Sequence, residues 1–149
     1  MLQQTFSQLF EKEINTLYNE ISLYESEEAI WRTSGQISNS AGNLCLHLIG
    51  NLNHFIGTVM GNTGYIRVRD LEFSDKNVPK AKLLADVEAT REMVKNTFAK
   101  MQTLELEQDF PLTLGDKQYT NAYMLMHLLT HLGYHTGQIN YHKRLLGAR

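Results

Sequence analysis

Apolar residues recur every three or four positions in four separate segments of this 149-residue chain. That spacing places them along one face of an α-helix, so it predicts four amphipathic helices. The predicted helices are residues 2–30, a second capped by Ser38 or Asn39 and ending near Met60, a third beginning at Pro79, and a fourth from Thr120 to about Leu146.

Two long connections, residues 61–79 and 104–119, separate the predicted helices. Four amphipathic helices without a convincing sheet predict an all-α four-helix bundle. The long connections argue against simple up-down-up-down topology, which needs only short loops. In the first connection β-branched and charged residues alternate, so we expect a short extended piece there. The length suits one domain covering residues 1–149.

The composition excludes several classes of protein. A net charge of −2 argues against nucleic acid and anionic membranes as partners. The single cysteine excludes a disulfide framework and a multi-thiolate metal cluster. The start of the chain does not resemble a signal peptide, and no apolar run reaches the roughly 18 residues of a membrane span. We therefore expect a cytoplasmic protein.

Histidines are concentrated on the fourth predicted helix. Four of the six histidines in the chain fall between residues 127 and 142. At 100° per residue, the four and Gln138 occupy an arc of about 80° at the edge of the apolar face. The second predicted helix also has a polar stripe beside its apolar face, and it carries His47 and His54. Two such stripes can meet across a cleft if the helices pack side by side.

The histidine spacing suits a metal ion. Histidines four residues apart lie about 6 Å apart along a helix, so both rings can reach one ion. His131 forms such a pair with His135 and another with His127, and the spacing alone does not choose between them. His47 is the best third ligand. Three neutral imidazoles suit Zn²⁺, Ni²⁺, Fe²⁺ or Co²⁺ and leave coordination positions open for water or substrate.

The position of His54 depends on the direction of packing. If the second and fourth helices are antiparallel, His54 falls near His127, as a group beside the ligands or in the core. If they are parallel, it falls near His142. A single buried histidine is more often a hydrogen-bonded core residue than a ligand.

Other side chains on the fourth helix are candidates for a pocket. Gln138 can hold a ligand histidine or a bound water, or simply make polar contacts on the helix. Tyr134 and Tyr141 can line the pocket, although packing at a helix interface is the more common role of such tyrosines. His127 can orient a substrate or relay a proton.

Two further features each have a structural and a functional interpretation. Arg67 and Arg69 can bind a substrate carboxylate, but ion pairs with Asp70 or Glu72 are the more common outcome. Cys45 projects to the apolar side of the second helix, which predicts a core residue and not a reactive thiol.

Several other site types are excluded. A di-iron bundle needs inward carboxylates and Glu-x-x-His pairs, and no histidine here follows a glutamate by three residues. The chain has no HExxH zincin motif and no nucleophile motif of a Ser-His-Asp hydrolase.

Two sequence segments resemble the DinB-like superfamily of metalloenzymes. They are NSAGNLCLHLIGNLNHFIG, which contains His47, and HLLTHLGYHTGQI, which contains His131 and His135. The RVRDLEF segment of the first connection is similar to a subgroup of these proteins, and the resemblance extends from about Trp31 to Leu146.

The resemblance implies a specific architecture and site. It implies a four-helix bundle with up-down-down-up topology, in which the second and fourth helices are antiparallel. It also implies one divalent metal ion held by His47, His131 and His135, with Zn or Ni favoured and Fe, Co or Mn as alternatives. Characterised relatives include enzymes that use low-molecular-weight thiols in S-transfer or isomerisation, and homodimers are common.

Two functional hypotheses follow. The first is a metal-dependent enzyme, a thiol-dependent S-transferase or a related hydrolase or isomerase, that acts on a small electrophilic molecule. The second is a non-catalytic metal-binding or stress-related dimer of helical bundles. Solvent access to an open coordination position distinguishes them, because only the enzyme requires it.

Overall fold

The computed structural model describes residues 1–147, and within them the chain is helical with isolated β-bridges and no strand. The α-helices are α1 (Leu2–Ser22), α2 (Glu27–Ile30), α3 (Ala41–Leu52), α4 (Arg69–Ser74), α5 (Lys80–Lys100) and α6 (Asn121–Leu146). A π-helix, Asn53–Met60, continues α3, and a 3-10 helix spans Thr103–Leu106. Among the described helices, none is both long enough and apolar enough to cross a membrane.

The first helix is shorter than the predicted residues 2–30. It ends at Ser22, and Ser26 caps the separate helix α2 by accepting a hydrogen bond from the backbone of Ala29 at 3.2 Å. The Nζ of Lys80 donates to the carbonyls of Ser22 and Tyr24 at 3.4 and 3.1 Å. The break therefore satisfies carbonyls that a continuing helix would have bonded internally.

The caps of the two helices that carry the site are serine and threonine. Thr120 is the predicted cap of α6, and its hydroxyl accepts a hydrogen bond from the backbone of Tyr123 at 3.1 Å. The cap of α3 is Ser40, not the predicted Ser38 or Asn39, and it accepts from Asn43 N at 3.1 Å.

The first connection forms no strand among the described residues, and its residues Arg69–Ser74 form helix α4. No strand within residues 1–147 pairs with this segment. The helix has a side-chain partner instead: Asn43 of α3 donates from Nδ2 to the carbonyls of Glu72 and Asp75 at 2.9 and 2.8 Å. These two bonds hold α4 against α3.

The four long helices α1, α3, α5 and α6 share one apolar core. Their buried residues follow the three- and four-residue spacing seen in the sequence. The largest fully buried side chains include Phe10, Ile14, Leu48, Leu83 and Phe98.

Polar contacts show which parts of the long helices lie side by side. Gln3, at the start of α1, donates to the carbonyl of Phe98, near the end of α5. The end of α1 lies beside the end of α6, where Glu20 accepts from Lys143 at 2.5 Å. In the π-helix, the Nδ2 of Asn53 donates to the Oγ1 of Thr90 on α5 at 2.9 Å.

Candidate metal centre

Three histidines from two helices meet at one point. The Nε2 of His131 on α6 lies 3.1 Å from the Nε2 of His47 on α3 and 3.1 Å from the Nε2 of His135, one turn further along α6. The ligand atoms of the three residues all lie within 4.8 Å of one another, so the cluster can hold a metal ion. Of the two His-x-x-x-His pairs on α6, the pair next to His47 is the one formed by His131 and His135.

The cluster lies at the edge of the core. His47 is buried, whereas His131 and His135 are half-buried. Burial, together with the neighbouring rings of His135 and His47, lowers the pKa of His131 to about 4. Burial also lowers the pKa of His47, although the hydrogen bond to Glu72 opposes this effect. Both imidazoles are therefore neutral near pH 7, the form that binds metals.

Two side chains determine which nitrogen of a cluster histidine carries the hydrogen. The Nδ1–H of His47 donates to Oε1 of Glu72 at 2.9 Å. The Nδ1–H of His135 donates to Oε1 of Gln138 at 2.7 Å. Since a neutral imidazole has only one N–H, the Nε2 atoms of His47 and His135 both present lone pairs to the cluster.

The nitrogen atoms fit a cation better than they fit one another. With lone pairs on His47 and His135, the three Nε2 atoms share at most one hydrogen, which His131 would supply. Nitrogens bound to one zinc ion at about 2.0–2.1 Å in tetrahedral geometry lie about 3.3 Å apart, close to the separations found here. The other ring nitrogen of His131, Nδ1, is buried without a protein partner, so no hydrogen bond to the protein fixes the tautomer of this ring.

The other histidines lie outside the cluster. His127 is exposed, with its ring parallel to that of Tyr123 at 6.5 Å. The ring of His54 packs against that of Phe55, with the centroids 4.8 Å apart. His142 is a buried core residue, which is the more common role of a single buried histidine.

Residues of the first connection make contacts at the cluster that the sequence does not predict. Arg67 forms the expected ion pair with Glu72, with Nε donating to Oε2 and Nη2 to Oε1, both at 2.8 Å. Arg69 instead lies over the ring of Phe73, 5.3 Å from its centroid. Glu72 is a functional candidate that sequence reasoning missed as a partner of His47. The available signal was Gly50, one turn after His47 on α3, which leaves space for a side chain from another element.

A cavity of about 390 Å³ borders the cluster on the α6 side, and His135 and Gln138 are part of its wall. Tyr134 and Tyr141 also line it and are 64% and 62% exposed, so they do not pack at a helix interface within the described chain. Cys45 is fully buried, and burial raises the pKa of its thiol to about 12. It is a core residue, as predicted.

Together these features define an all-helical protein with a three-histidine cluster that can hold a metal ion. The chain belongs to the family described as "Protein of unknown function (DUF1572)", whose model matches residues 2–149. Comparison with curated proteins and with solved structures gave no match.

Proposed function

We propose that His47, His131 and His135 bind one divalent metal ion and that the protein is a metal-dependent enzyme. The observation that carries this proposal is the convergence of three Nε2 atoms that together hold at most one hydrogen. Zinc and nickel are the favoured ions, and iron, cobalt and manganese are alternatives.

The proposal includes a DinB-like domain over residues 1–149, a four-helix bundle with up-down-down-up topology. Contacts at both ends of α1 support it. The start of α1 meets the end of α5, and the end of α1 meets the end of α6. In addition, Asn53 meets Thr90 and Gly57 lies against Met93, as expected for α3 and α5 running in the same direction.

The proposed chemistry uses three protein ligands and open coordination positions. A bound divalent ion lowers the pKa of a coordinated thiol or water and makes it a nucleophile at neutral pH. Gln138 and Glu72 hold their histidines in the orientation that presents Nε2. The cavity beside His135 offers space for a small electrophilic molecule, with Tyr134 and Tyr141 as its aromatic walls.

A thiol nucleophile would have to come from outside the chain. Cys45 is the single cysteine, and it is buried with a raised thiol pKa, so it is not available as a thiolate. A low-molecular-weight thiol as cosubstrate is consistent with this. Homodimer formation and a cytoplasmic location stay predictions.

The metal content of untagged protein tests the site. We expect about one divalent ion per chain by inductively coupled plasma mass spectrometry, and loss of that ion in His135→Ala. The exposed His127 on the same helix provides the matched control, and His127→Ala should keep the ion. Little metal in the wild type after reconstitution, or full occupancy in His135→Ala, would contradict the proposal.

Turnover needs a separate measurement. Metal-loaded protein is assayed with thiols and small electrophiles, with His135→Ala as the blank. Metal-dependent product formation supports the enzyme. A tightly bound ion without turnover across these substrates would favour the non-catalytic metal-binding alternative.

A further inference from the structure

Glu72 is a buried carboxylate on α4. Its oxygen atoms accept hydrogen bonds from the cluster residue His47 and from Arg67. It is only 6% exposed, and its Oε1 accepts the hydrogen bond from Nδ1 of His47. A buried carboxylate is costly unless it is paired and hydrogen-bonded. The burial of Glu72 therefore needs a reason other than holding the first connection against the core.

Arg67 pairs with this carboxylate and fixes its orientation. The two-pronged contact at 2.8 Å holds both oxygen atoms and leaves Oε1 directed at His47. The Nη2 of Arg67 is farther from Nδ1 of His47, at 3.5 Å, and a guanidinium can only donate. The carboxylate, which can only accept, thus decides the tautomer of His47.

The backbone of α3 is shaped to admit the carboxylate. A Cβ added at Gly50 would lie 1.9 Å from Oε2 of Glu72 and 2.6 Å from its Cδ. Gly50 lies within a continuous helix, where glycine is otherwise unfavourable by about 1 kcal/mol relative to alanine. The missing side chain is explained by the space that Glu72 occupies.

The backbone of α4 is anchored separately. Asn43, one turn before His47, donates to the carbonyls of Glu72 and Asp75, and Nζ of Lys76 donates to Oδ1 of Asn43 at 2.6 Å. Three residues of the segment 67–76, Glu72, Asp75 and Lys76, are therefore tied to α3 around one histidine.

We infer that Glu72 is the positioning residue of the metal centre: with Arg67 and Gly50, it holds His47 in the tautomer whose Nε2 lone pair faces His131 and His135. This inference rests on the proposed function. A carboxylate behind a ligand imidazole fixes the ring and raises its basicity, and loss of such a partner typically weakens metal binding about 10- to 100-fold.

The tautomer of His47 is tested first, in metal-free protein. Long-range ¹H–¹⁵N correlation spectra distinguish imidazole nitrogens that carry a hydrogen from those that do not. We expect Nδ1–H in the wild type and a gain of the Nε2–H form in Glu72→Ala. An unchanged His47 spectrum in a variant that unfolds cooperatively in urea would overturn the inference.

Zinc affinity is the second test, measured by competition with a chromophoric chelator. We expect Glu72→Ala to bind Zn²⁺ about 10- to 100-fold more weakly than the wild type. Glu72→Gln, which keeps an acceptor oxygen without the charge, should fall in between. The exposed Glu25 gives the control, and Glu25→Ala should match the wild type.

The two kinds of failure are distinguishable. Zinc affinity of Glu72→Ala within two-fold of the wild type would overturn the inference and leave the metal site intact. A wild type that binds neither zinc nor any of the other proposed ions would overturn the proposed function, whereas the spectra still report whether Glu72 sets the tautomer.

Gly50 allows a double-mutant cycle. Its expected result differs from the one that a merely structural role of Glu72 would give. Gly50→Ala displaces the carboxylate, so it should weaken zinc binding about 10-fold or more in the wild-type background. In the Glu72→Ala background the clash is absent, and the same change should alter zinc affinity less than two-fold. Additive effects of the two substitutions would contradict the inference.

Discussion

At the residue scale, His142 shows what a histidine does in this chain outside the cluster. Its Nδ1 accepts a hydrogen bond from the hydroxyl of Tyr24 at 2.7 Å, and its Nε2–H donates to the carbonyl of Arg32 at 2.8 Å. Both ring nitrogens are satisfied within the protein, whereas Nδ1 of His131 has no protein partner. Complete pairing in the core is what separates a structural histidine from a candidate ligand.

The first prediction concerns Tyr24. Tyr24→Phe leaves Nδ1 of His142 buried without a donor, and we expect the free energy of unfolding to fall by about 1–3 kcal/mol. Urea denaturation followed by circular dichroism measures the loss. Tyr18 is half-buried against the same core and has no hydrogen bond to another described residue through its hydroxyl. Tyr18→Phe should therefore change stability by less, and equal losses would contradict the prediction.

The second prediction is a pH dependence carried by His142. Burial lowers the pKa of His142 below the 6.5 of a free histidine, so the unfolded chain takes up the proton first. Its contribution to stability is complete above pH 6.5 and is lost as the pH falls towards the lowered folded pKa. Metal-free protein should therefore be less stable at pH 5.5 than at pH 7.5.

Comparison with a variant isolates the residue, because His47 and His131 also have lowered pKa values. The loss of stability between pH 7.5 and 5.5 should be smaller in His142→Gln than in the wild type. Urea unfolding curves at both pH values provide the comparison. An identical loss would assign the pH dependence to the other histidines.

The sequence predicts the histidines of the cluster but not the carboxylate beside His47. Helical spacing is regular, so it placed His131 and His135 on one arc and made His47 the best partner from another helix. Glu72 is on a short connection helix without periodicity, and it reaches His47 only after the chain has turned back on itself. Gly50 marks a space beside His47, but no local pattern identifies the side chain that fills it.

At the element scale, the long helices were predictable and the irregular segments were not. Apolar spacing and the Thr120 cap gave the start of α6 correctly. The same spacing predicts that the first helix ends at residue 30, eight residues after its actual end at Ser22. The prediction is too long because Tyr24 is buried and continues the apolar pattern, although it lies in a turn after the helix. The π-helix Asn53–Met60 keeps an apolar face and was therefore indistinguishable from an α-helix.

The third prediction tests the cap of α6. Thr120→Ala removes the acceptor for the backbone N–H of Tyr123 and should lower the free energy of unfolding by about 1 kcal/mol. Thr130→Ala is the matched control within the same helix. The hydroxyl of Thr130 bonds only to the carbonyl of His127, and alanine is the better helix former, so stability should be unchanged or slightly higher. A control that loses as much as the cap variant would contradict this assignment.

At the scale of the whole molecule, the cluster joins two helices that are far apart in the chain. His47 lies in the second of the four long helices and His131 in the fourth, separated by 84 positions. An ion bound there would link helices that only the folded chain brings together. Metal binding and folding should therefore be coupled.

The last prediction measures that coupling. Zinc at a free concentration 100 times its Kd should stabilise the wild type by about 2.7 kcal/mol. For a chain of this length that corresponds to a rise in melting temperature of roughly 5–10 °C, observable by differential scanning calorimetry. His131→Ala retains the other five histidines, which can still bind zinc unspecifically, but it should lose most of the rise in melting temperature. His127→Ala, which has the same histidine count, should keep it. Equal shifts in the two variants would mean that zinc stabilises the fold somewhere other than at the cluster.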